Sequence, residues 1–206
     1  MTRSLRVGGQ DVSRETLGRL EIYADLLKRW NPRINLVAPS TLPDLWTRHI
    51  ADSAQVFELA PPEARSWVDL GTGGGFPGLV VAVLAAELAP DLAVTCIESD
   101  QRKATFLRTV LRETGIKAEV RAERIEAAPA MNADVVSARA LAALDRLLPM
   151  VQRHLKPGGI ALFPKGDSYR SEVQQALESW RFAADTYQSQ TNPNAVILKV
   201  GDIRRA

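Results

Sequence analysis

Between Ser13 and Trp30 apolar residues return every three or four positions, at Leu17, Leu20, Tyr23, Ala24, Leu27 and Trp30, a spacing that lines one face of a helix. Asn31-Pro32 is expected to end it, because a proline disfavours helical backbone in the residue before it. A second helical pattern opens at Thr41, with Pro43 in the first turn and Asp44 three residues past the cap. It runs through Trp46, Ile50 and Val56 to about Leu59, and Pro61-Pro62 closes the segment. The period then changes. Short apolar runs predict strands at 66–70, 93–98, 117–121, 133–137 and 160–164, alternating with helical patterns at 77–88, 101–114, 141–155 and 171–180. Two further runs, 182–189 and 195–200, flank Thr191-Asn192-Pro193-Asn194 and predict an antiparallel hairpin. Such alternation predicts an α/β fold, a mostly parallel seven-stranded sheet with helices on both faces and the hairpin at its end. The expected division is a helical extension over 1–62 packed on a core domain over 63–206.

Glycines cluster where the first strand run meets the first core helix, in Trp67-Val68-Asp69-Leu70-Gly71-Thr72-Gly73-Gly74-Gly75-Phe76-Pro77-Gly78. Without a Cβ the chain can turn sharply there and bring its backbone close to a ligand, and Pro77 suits a first helical turn. A plain strand-to-helix turn would look the same, so the next strand run matters. It ends in Glu98, one strand–helix–strand unit after Gly71, where a carboxylate can accept hydrogen bonds from both hydroxyls of a ribose. The competing reading makes Glu98 a cap for the helix that begins near Asp100.

Two cofactor classes use this arrangement. A dinucleotide fingerprint requires Gly-x-Gly-x-x-Gly, whereas the chain has Gly71-x-Gly73-x-Gly75, with some ambiguity left by Gly78. Asp69, two residues before the first glycine, would repel a pyrophosphate but could hold an ammonium, or a water near one. These residues favour S-adenosylmethionine over NAD. A parallel sheet finished by an antiparallel hairpin points the same way.

Composition narrows the class. The chain has 206 residues, 46% hydrophobic and 24% charged, which suits one substantial core with an extension. No run of about eighteen apolar residues occurs, so no membrane span is expected. The start, Met1-Thr2-Arg3-Ser4-Leu5-Arg6, is basic but lacks a following apolar stretch, which argues against a secretory signal and for the cytoplasm. The single cysteine, Cys96, falls inside a strand run and reads as core. His49 and His154 have no ligand-spaced partners, so no metal is expected. A net charge of +2 does not suit a protein that coats nucleic acid, yet leaves RNA open. The basic residues are mostly arginine, which fits phosphate and base recognition or a GC-rich coding bias equally well.

Several segments together resemble the bacterial 16S rRNA guanine-N7 methyltransferases, also called glucose-inhibited division protein B. They are Trp30-Asn31 with Asn35-Leu36, Arg48-His49-Ile50-x-Asp52-Ser53, the loop from Asp69 to Gly78, Lys103-x-x-Phe106-Leu107, Ser137-Ala138-Arg139-Ala140, and Lys165-Gly166. Nearly the whole chain is covered. The glycine loop is common to many methyltransferases, while His-x-x-Asp-Ser combined with Arg-Ala and Lys-Gly is specific. Two departures stand out: relatives commonly have Ser-Arg-Ala without the intervening alanine, and often Asp where this chain has Glu98.

The resemblance implies a Rossmann-like class I S-adenosylmethionine-dependent fold, with the cofactor over Gly71, Gly73, Gly75 and Phe76, near Asp69, and Glu98 on its ribose. It places Ile125 and Glu126 at the adenine and Arg139 where methyl donor and guanine meet. Asn35, His49, Asp52, Ser53, Arg124 and Lys165 become candidate contacts to guanine or to RNA phosphate, with Arg139, His49 and Asn35 the candidates for positioning the base. His49, Asp52 and Ser53 share one helical face by spacing, which could equally be a solvated face. Glu126 and Arg139 could likewise be ordinary helix-entry residues, and Trp30 sits on an apolar stripe as a packing residue.

Guanine N7 carries a lone pair and no proton, so methylating it requires no general base. Nothing in the chain contradicts that. After the fourth strand an amino-group methyltransferase would show Asn/Asp-Pro-Pro-aromatic, and a C5-pyrimidine enzyme would need a catalytic cysteine. The expected partner is 16S ribosomal RNA or the small ribosomal subunit, bound by a monomer. The alternatives are a small-molecule methyltransferase, a non-catalytic RNA-binding assembly protein on the same fold, and an NAD-dependent oxidoreductase.

Overall fold

Ser13 caps the first helix as its sequence suggests: its backbone is extended and its Oγ accepts the Thr16 N–H. In the computed structural model, which describes residues 4–206, α1 spans Arg14–Ile34. Met1, Thr2 and Arg3 of the basic N-terminal stretch lie outside the described residues. Asn31-Pro32 does not end α1. The Asn31 carbonyl accepts the Asn35 N–H, and its buried Oδ1 accepts the Val37 N–H at 2.8 Å, so the final turn is held despite the proline. Asn35, with φ of 49°, turns the chain out of the helix.

The second predicted helix is broken into three pieces. A 3-10 turn over Pro39–Thr41 is followed by a π-helical stretch over Trp46–Ala51 and then α2 over Asp52–Phe57. Thr41 is not a cap: the N-cap positions of the 3-10 and π-helical pieces are Ala38 and Leu45, and the Thr41 hydroxyl donates to the Ala38 carbonyl. The widened turn carries His49, and the Arg48 carbonyl accepts a bond from Arg139. A short hairpin, β1 (Arg6–Val7) with β2 (Gln10–Asp11), precedes α1 and had no expectation attached to it.

The core sheet contains β3 (Ser66–Leu70), β4 (Ala93–Ile97), β5 (Glu119–Arg121), β6 (Ala133–Ser137), β7 (Leu155–Lys165), β8 (Trp180–Gln188) and β9 (Val196–Arg205), in the order β5-β4-β3-β6-β7-β9-β8. The first five in that order are parallel, and β9 runs antiparallel to both neighbours. The seven strands and the terminal hairpin are as expected. Some boundaries are not. Leu155 already pairs with Ala133, so β7 starts earlier than position 160, and Trp180 is the buried first residue of β8 rather than the end of a helix.

Helices α3 (Gly78–Leu88) and α4 (Gln101–Thr114) pack with α1 on one face of the sheet, around Tyr23, Trp67 and Phe106. Trp30 lies 5.7 Å from Phe106, ring to ring, and is a packing residue. Helices α5 (Leu144–His154) and α6 (Tyr169–Ala176) cover the other face, over Val68, Val136, Phe163 and Trp180. Strand alternation drives the two cores: Trp67 faces one and Val68 the other. Strand order reverses between β3 and β6, which opens a crevice at their carboxyl ends.

Candidate cofactor cavity and its arginine wall

Asp69 organises the glycine loop from beneath. It is fully buried at the end of β3; Oδ2 accepts from the Thr72 hydroxyl and from the Gly78 N–H at 3.0 Å. Its Oδ1 accepts the Ser137 hydroxyl at 2.7 Å, and Ser137 Oγ in turn accepts the Trp67 indole N–H at 2.7 Å. Burial pushes the Asp69 carboxyl up to about 6, against the pull of Thr72, Ser137, Gly78 and the charge of Arg139. The carboxylate is thus spent on the loop, and Asp69 is not among the residues that line the cavity.

Gly75 likewise is not among the lining residues. Its φ is +98°, and a Cβ would lie 2.5 Å from Tyr23 Oη, whose hydroxyl donates to the Gly74 carbonyl. At Gly78 a Cβ would lie 2.7 Å from Cys96 Sγ and 2.8 Å from Asp69. These two glycines let the helix and the loop close on the strand, while Gly71 and Gly73 line the cavity. Cys96 is buried core, its thiol pushed up by that burial.

The cavity, about 610 Å³, opens at the carboxyl ends of β3, β4 and β6. Gly71, Gly73, Phe76, Glu98, Arg124, Ile125, Glu126, Arg139 and His49 all line it. Glu98 is buried there: Oε2 accepts the Gly73 N–H at 2.8 Å and Oε1 the Asp100 N–H at 2.9 Å. The cap of α4 falls instead to Asp100, whose side chain accepts from the Arg102 and Lys103 N–H groups. Leu36, Val37, Ala38, Thr72, Lys103 and Met150 also line the cavity and were not singled out as ligand contacts. The Asn31 bond to Val37 shapes the first three, and only the Trp-Asn pair hinted at it.

Arg139 forms the far wall, in the loop between β6 and α5, where Ala140 adopts φ of +53°. Its Nη2 lies 2.8 Å from His49 Nδ1, and its Nη1 donates to the Arg48 carbonyl and to Asp52 Oδ2, both at 3.3 Å. A guanidinium only donates, so His49 Nδ1 accepts and the ring proton sits on Nε2, 2.8 Å from Thr41 Oγ1. Burial, then the charges of Arg139 and Arg48, lower His49 to about 3, which keeps this ring neutral near pH 7. Phe76 is flanked by both, with the imidazole 4.9 Å and the guanidinium 5.1 Å from its ring.

Asp52 also accepts from the Thr191 hydroxyl at 2.7 Å and from Gln55 Nε2 at 2.9 Å, a link to the β8–β9 turn with no local signal in the sequence. Three other candidates are placed apart from the cavity. Asn35 is exposed where the chain leaves α1. Ser53 is 1% exposed and does not line the cavity. Lys165 donates to Glu172 at 2.7 Å and to the Ala142 carbonyl at 3.1 Å, and lines a neighbouring cavity of about 390 Å³. A wider groove of about 820 Å³, near Lys156, Arg181 and Arg204, has none of these groups.

The donor set suits S-adenosylmethionine: buried carboxylate oxygens for hydroxyls, the aliphatic Ile125 for a purine face, and a volume within the roughly 300–1,000 Å³ usual for small-molecule sites. Among the described residues no group of His, Cys, Asp and Glu could hold a metal, and no helix is long and apolar enough to cross a membrane.

A family model described as rRNA small subunit methyltransferase G matches residues 16–195. The chain belongs to this family. It is 54% identical over 195 residues to Ribosomal RNA small subunit methyltransferase G of Ruegeria sp. (strain TM1040), covering 95% of each chain. It is 55% identical to the protein of that name from Ruegeria pomeroyi, again over 95% of each chain. Among solved structures it resembles mitomycin 7-O-methyltransferase MmcR, with a TM-score of 0.61 and 17% identity, over 94% of this chain and 69% of that one. It also resembles TYW2 of M. jannaschii in complex with AdoMet, with a TM-score of 0.55 and 13% identity, over 77% of this chain and 76% of that one. At such identities these two structures speak for the fold, a class I methyltransferase sheet. The expected family and fold are both met.

Proposed function

We propose that the protein transfers a methyl group from S-adenosylmethionine to N7 of one guanine in 16S ribosomal RNA. The observation that carries the reading is the wall shared by Arg139 and neutral His49 beside the glycine-loop cavity, in a chain of this family. When bound, S-adenosylmethionine supplies a sulfonium methyl, which N7 takes with its lone pair as the carbon–sulfur bond breaks and positive charge passes to the purine. Gly71, Gly73 and Phe76 hold the cofactor's place, Glu98 receives its ribose hydroxyls, and Ile125 and Glu126 border its adenine. Arg139 and His49 position the guanine. Arg124, exposed at the rim, and Lys165 reach RNA phosphate or base, and Asn35 offers a further contact outside the cavity.

The reaction needs alignment more than proton transfer. His49 lends an acceptor to Arg139 and a fixed ring to Phe76, and Asp69 stays sealed beneath the loop, so neither is placed as a base. We further assign residues 1–62 to an extension that completes the cavity through Leu36–Ala38 and His49, and residues 63–206 to the transferase domain. The protein works as a monomer in the cytoplasm on RNA or on the assembled subunit.

Labelled S-adenosylmethionine should transfer its methyl group to small-subunit RNA or to subunits from a strain lacking this protein, with one alkali-labile cleavage mapping the N7-methylguanine. Cofactor binding without transfer to either substrate would remove the rRNA reading and leave a small-molecule methyltransferase or an assembly protein.

A further inference from the structure

Four of the glycines near the site have a visible reason: Gly71 and Gly75 carry positive φ with side chains pressed against them, Gly74 backs onto Leu36, and Gly78 backs onto Asp69. Gly166 has none. Its φ lies outside the left-handed region, and a Cβ there would meet no atom within 4 Å. Nothing in the fold asks for glycine, yet Gly166 lines the 390 Å³ cavity together with His49, Asp52, Arg139, Lys165 and Thr191.

Among the described residues only Arg139 and His49 border both this cavity and the 610 Å³ cofactor cavity, so the two chambers meet at the residues assigned to the guanine. The smaller chamber sets polar groups against an apolar side made by Pro164, Pro193, Val196 and Ile197, and it keeps spare donors. Arg139 uses both Nη1 hydrogens and one on Nη2, which leaves one Nη2 hydrogen and the Nε–H with no partner among the described residues. Lys165 spends two of its three ammonium hydrogens on Glu172 and Ala142. Asp52 adds a carboxylate. Guanine presents O6 as an acceptor beside N7 and donors on its other edge, a pattern these groups complement; adenine presents an amino group in place of O6.

We infer that this chamber receives the target guanine, turned out of its stack, with the β8–β9 turn as one wall. A base inside a folded RNA cannot bring N7 to a buried methyl donor without leaving its neighbours. The wall is fastened at a distance: Gln55 accepts the Gln190 N–H at 2.9 Å and donates to Ser189 Oγ at 3.1 Å, while Thr191 bonds Asp52. Thr191 is therefore a positioning residue that acts through Asp52 on Arg139. This inference rests on the rRNA reading given above.

The test fills the chamber without touching the cofactor's side. Gly166→Phe should bind S-adenosylmethionine with unchanged Kd and melt like the parent, while methyl transfer to small-subunit RNA falls at least 100-fold. With 2-aminopurine replacing the nucleotide beside the methylated guanine, the parent should raise its fluorescence on binding, as the guanine leaves the stack, and Gly166→Phe should not. Thr191→Val should lower kcat about tenfold at constant cofactor affinity, and Thr191→Ser should restore it. Wild-type transfer by Gly166→Phe, or no fluorescence rise with the parent, would overturn the pocket while leaving the rRNA reading intact. Absence of transfer by the parent itself would remove both. If Gly166→Phe melts early, unchanged kcat in Thr191→Val overturns the pocket on its own.

Discussion

On one side of the 610 Å³ cavity the glycine loop is held by its own strand and helix, Asp69 to Thr72 and Gly78, in a fully buried cluster. On the other side Arg139 is held by Arg48, His49 and Asp52 from the N-terminal extension, and Asp52 in turn by the β8–β9 turn. The first wall is steric and dry; the second is polar and part-exposed. Changes to the first should cost the fold, and changes to the second should cost the reaction.

The largest effect is expected at Gly78. Its replacement by valine puts carbon against Asp69 and Cys96 and should lower stability by about 3 kcal/mol, the upper range for overpacking. Urea unfolding measures this, and a parental midpoint would mean that the loop wall yields more easily than its contacts imply. Next comes Arg139→Lys, which keeps the charge but loses the fork that joins His49, Asp52 and the Arg48 carbonyl. Methyl transfer should fall about 100-fold, or about 2.7 kcal/mol, with the unfolding midpoint nearly unmoved. A large loss of stability instead would erase the contrast between the walls.

Smaller effects appear with pH, and they carry opposite signs. His49 is lowered from 6.5 to about 3, so the stability from keeping it neutral is complete above pH 6.5 and declines as pH falls toward 3. Asp69 is raised from 3.8 to about 6, so its contribution is complete below pH 3.8 and declines as pH rises to 6. Between those limits His49→Gln should make stability fall more with rising pH, and Asp69→Asn should make it rise more. Denaturant midpoints from pH 4 to 8 separate the two. Smallest of all, the His49 imidazole should keep its Nε2–H signal in nitrogen NMR at pH 5; a doubly protonated ring there would contradict the Arg139 pairing.

The glycine loop, Glu98 and the Arg-Ala segment were legible because each sits at a strand end, where one residue's neighbours largely set its position. The partners of Asp69 were not legible for a related reason: a carboxylate two residues before a glycine looks the same whether it faces a ligand or folds back, as here, onto Thr72 and Gly78. The shared face that spacing assigns to His49, Asp52 and Ser53 presumes a regular α-helix, whereas Trp46–Ala51 is π-helical and Ser53 is buried. The β1–β2 hairpin turns at Gly8-Gly9, a dipeptide that signals a turn, but its two-residue strands are too short to leave an apolar pattern.

Strand and helix order, the cofactor loop and membership of the methyltransferase class follow from periodicity, backbone freedom and motif spacing, all properties of short stretches of chain. Which distant groups surround Arg139 does not. His49 and Asp52, Gln55 with the 189–191 turn, and Lys165 with Glu172 meet only because separate elements dock on one sheet, and no local pattern encodes that meeting. The neutral state of His49 belongs to the same class of facts, since burial and two neighbouring arginines set it, and both arise when the chain packs.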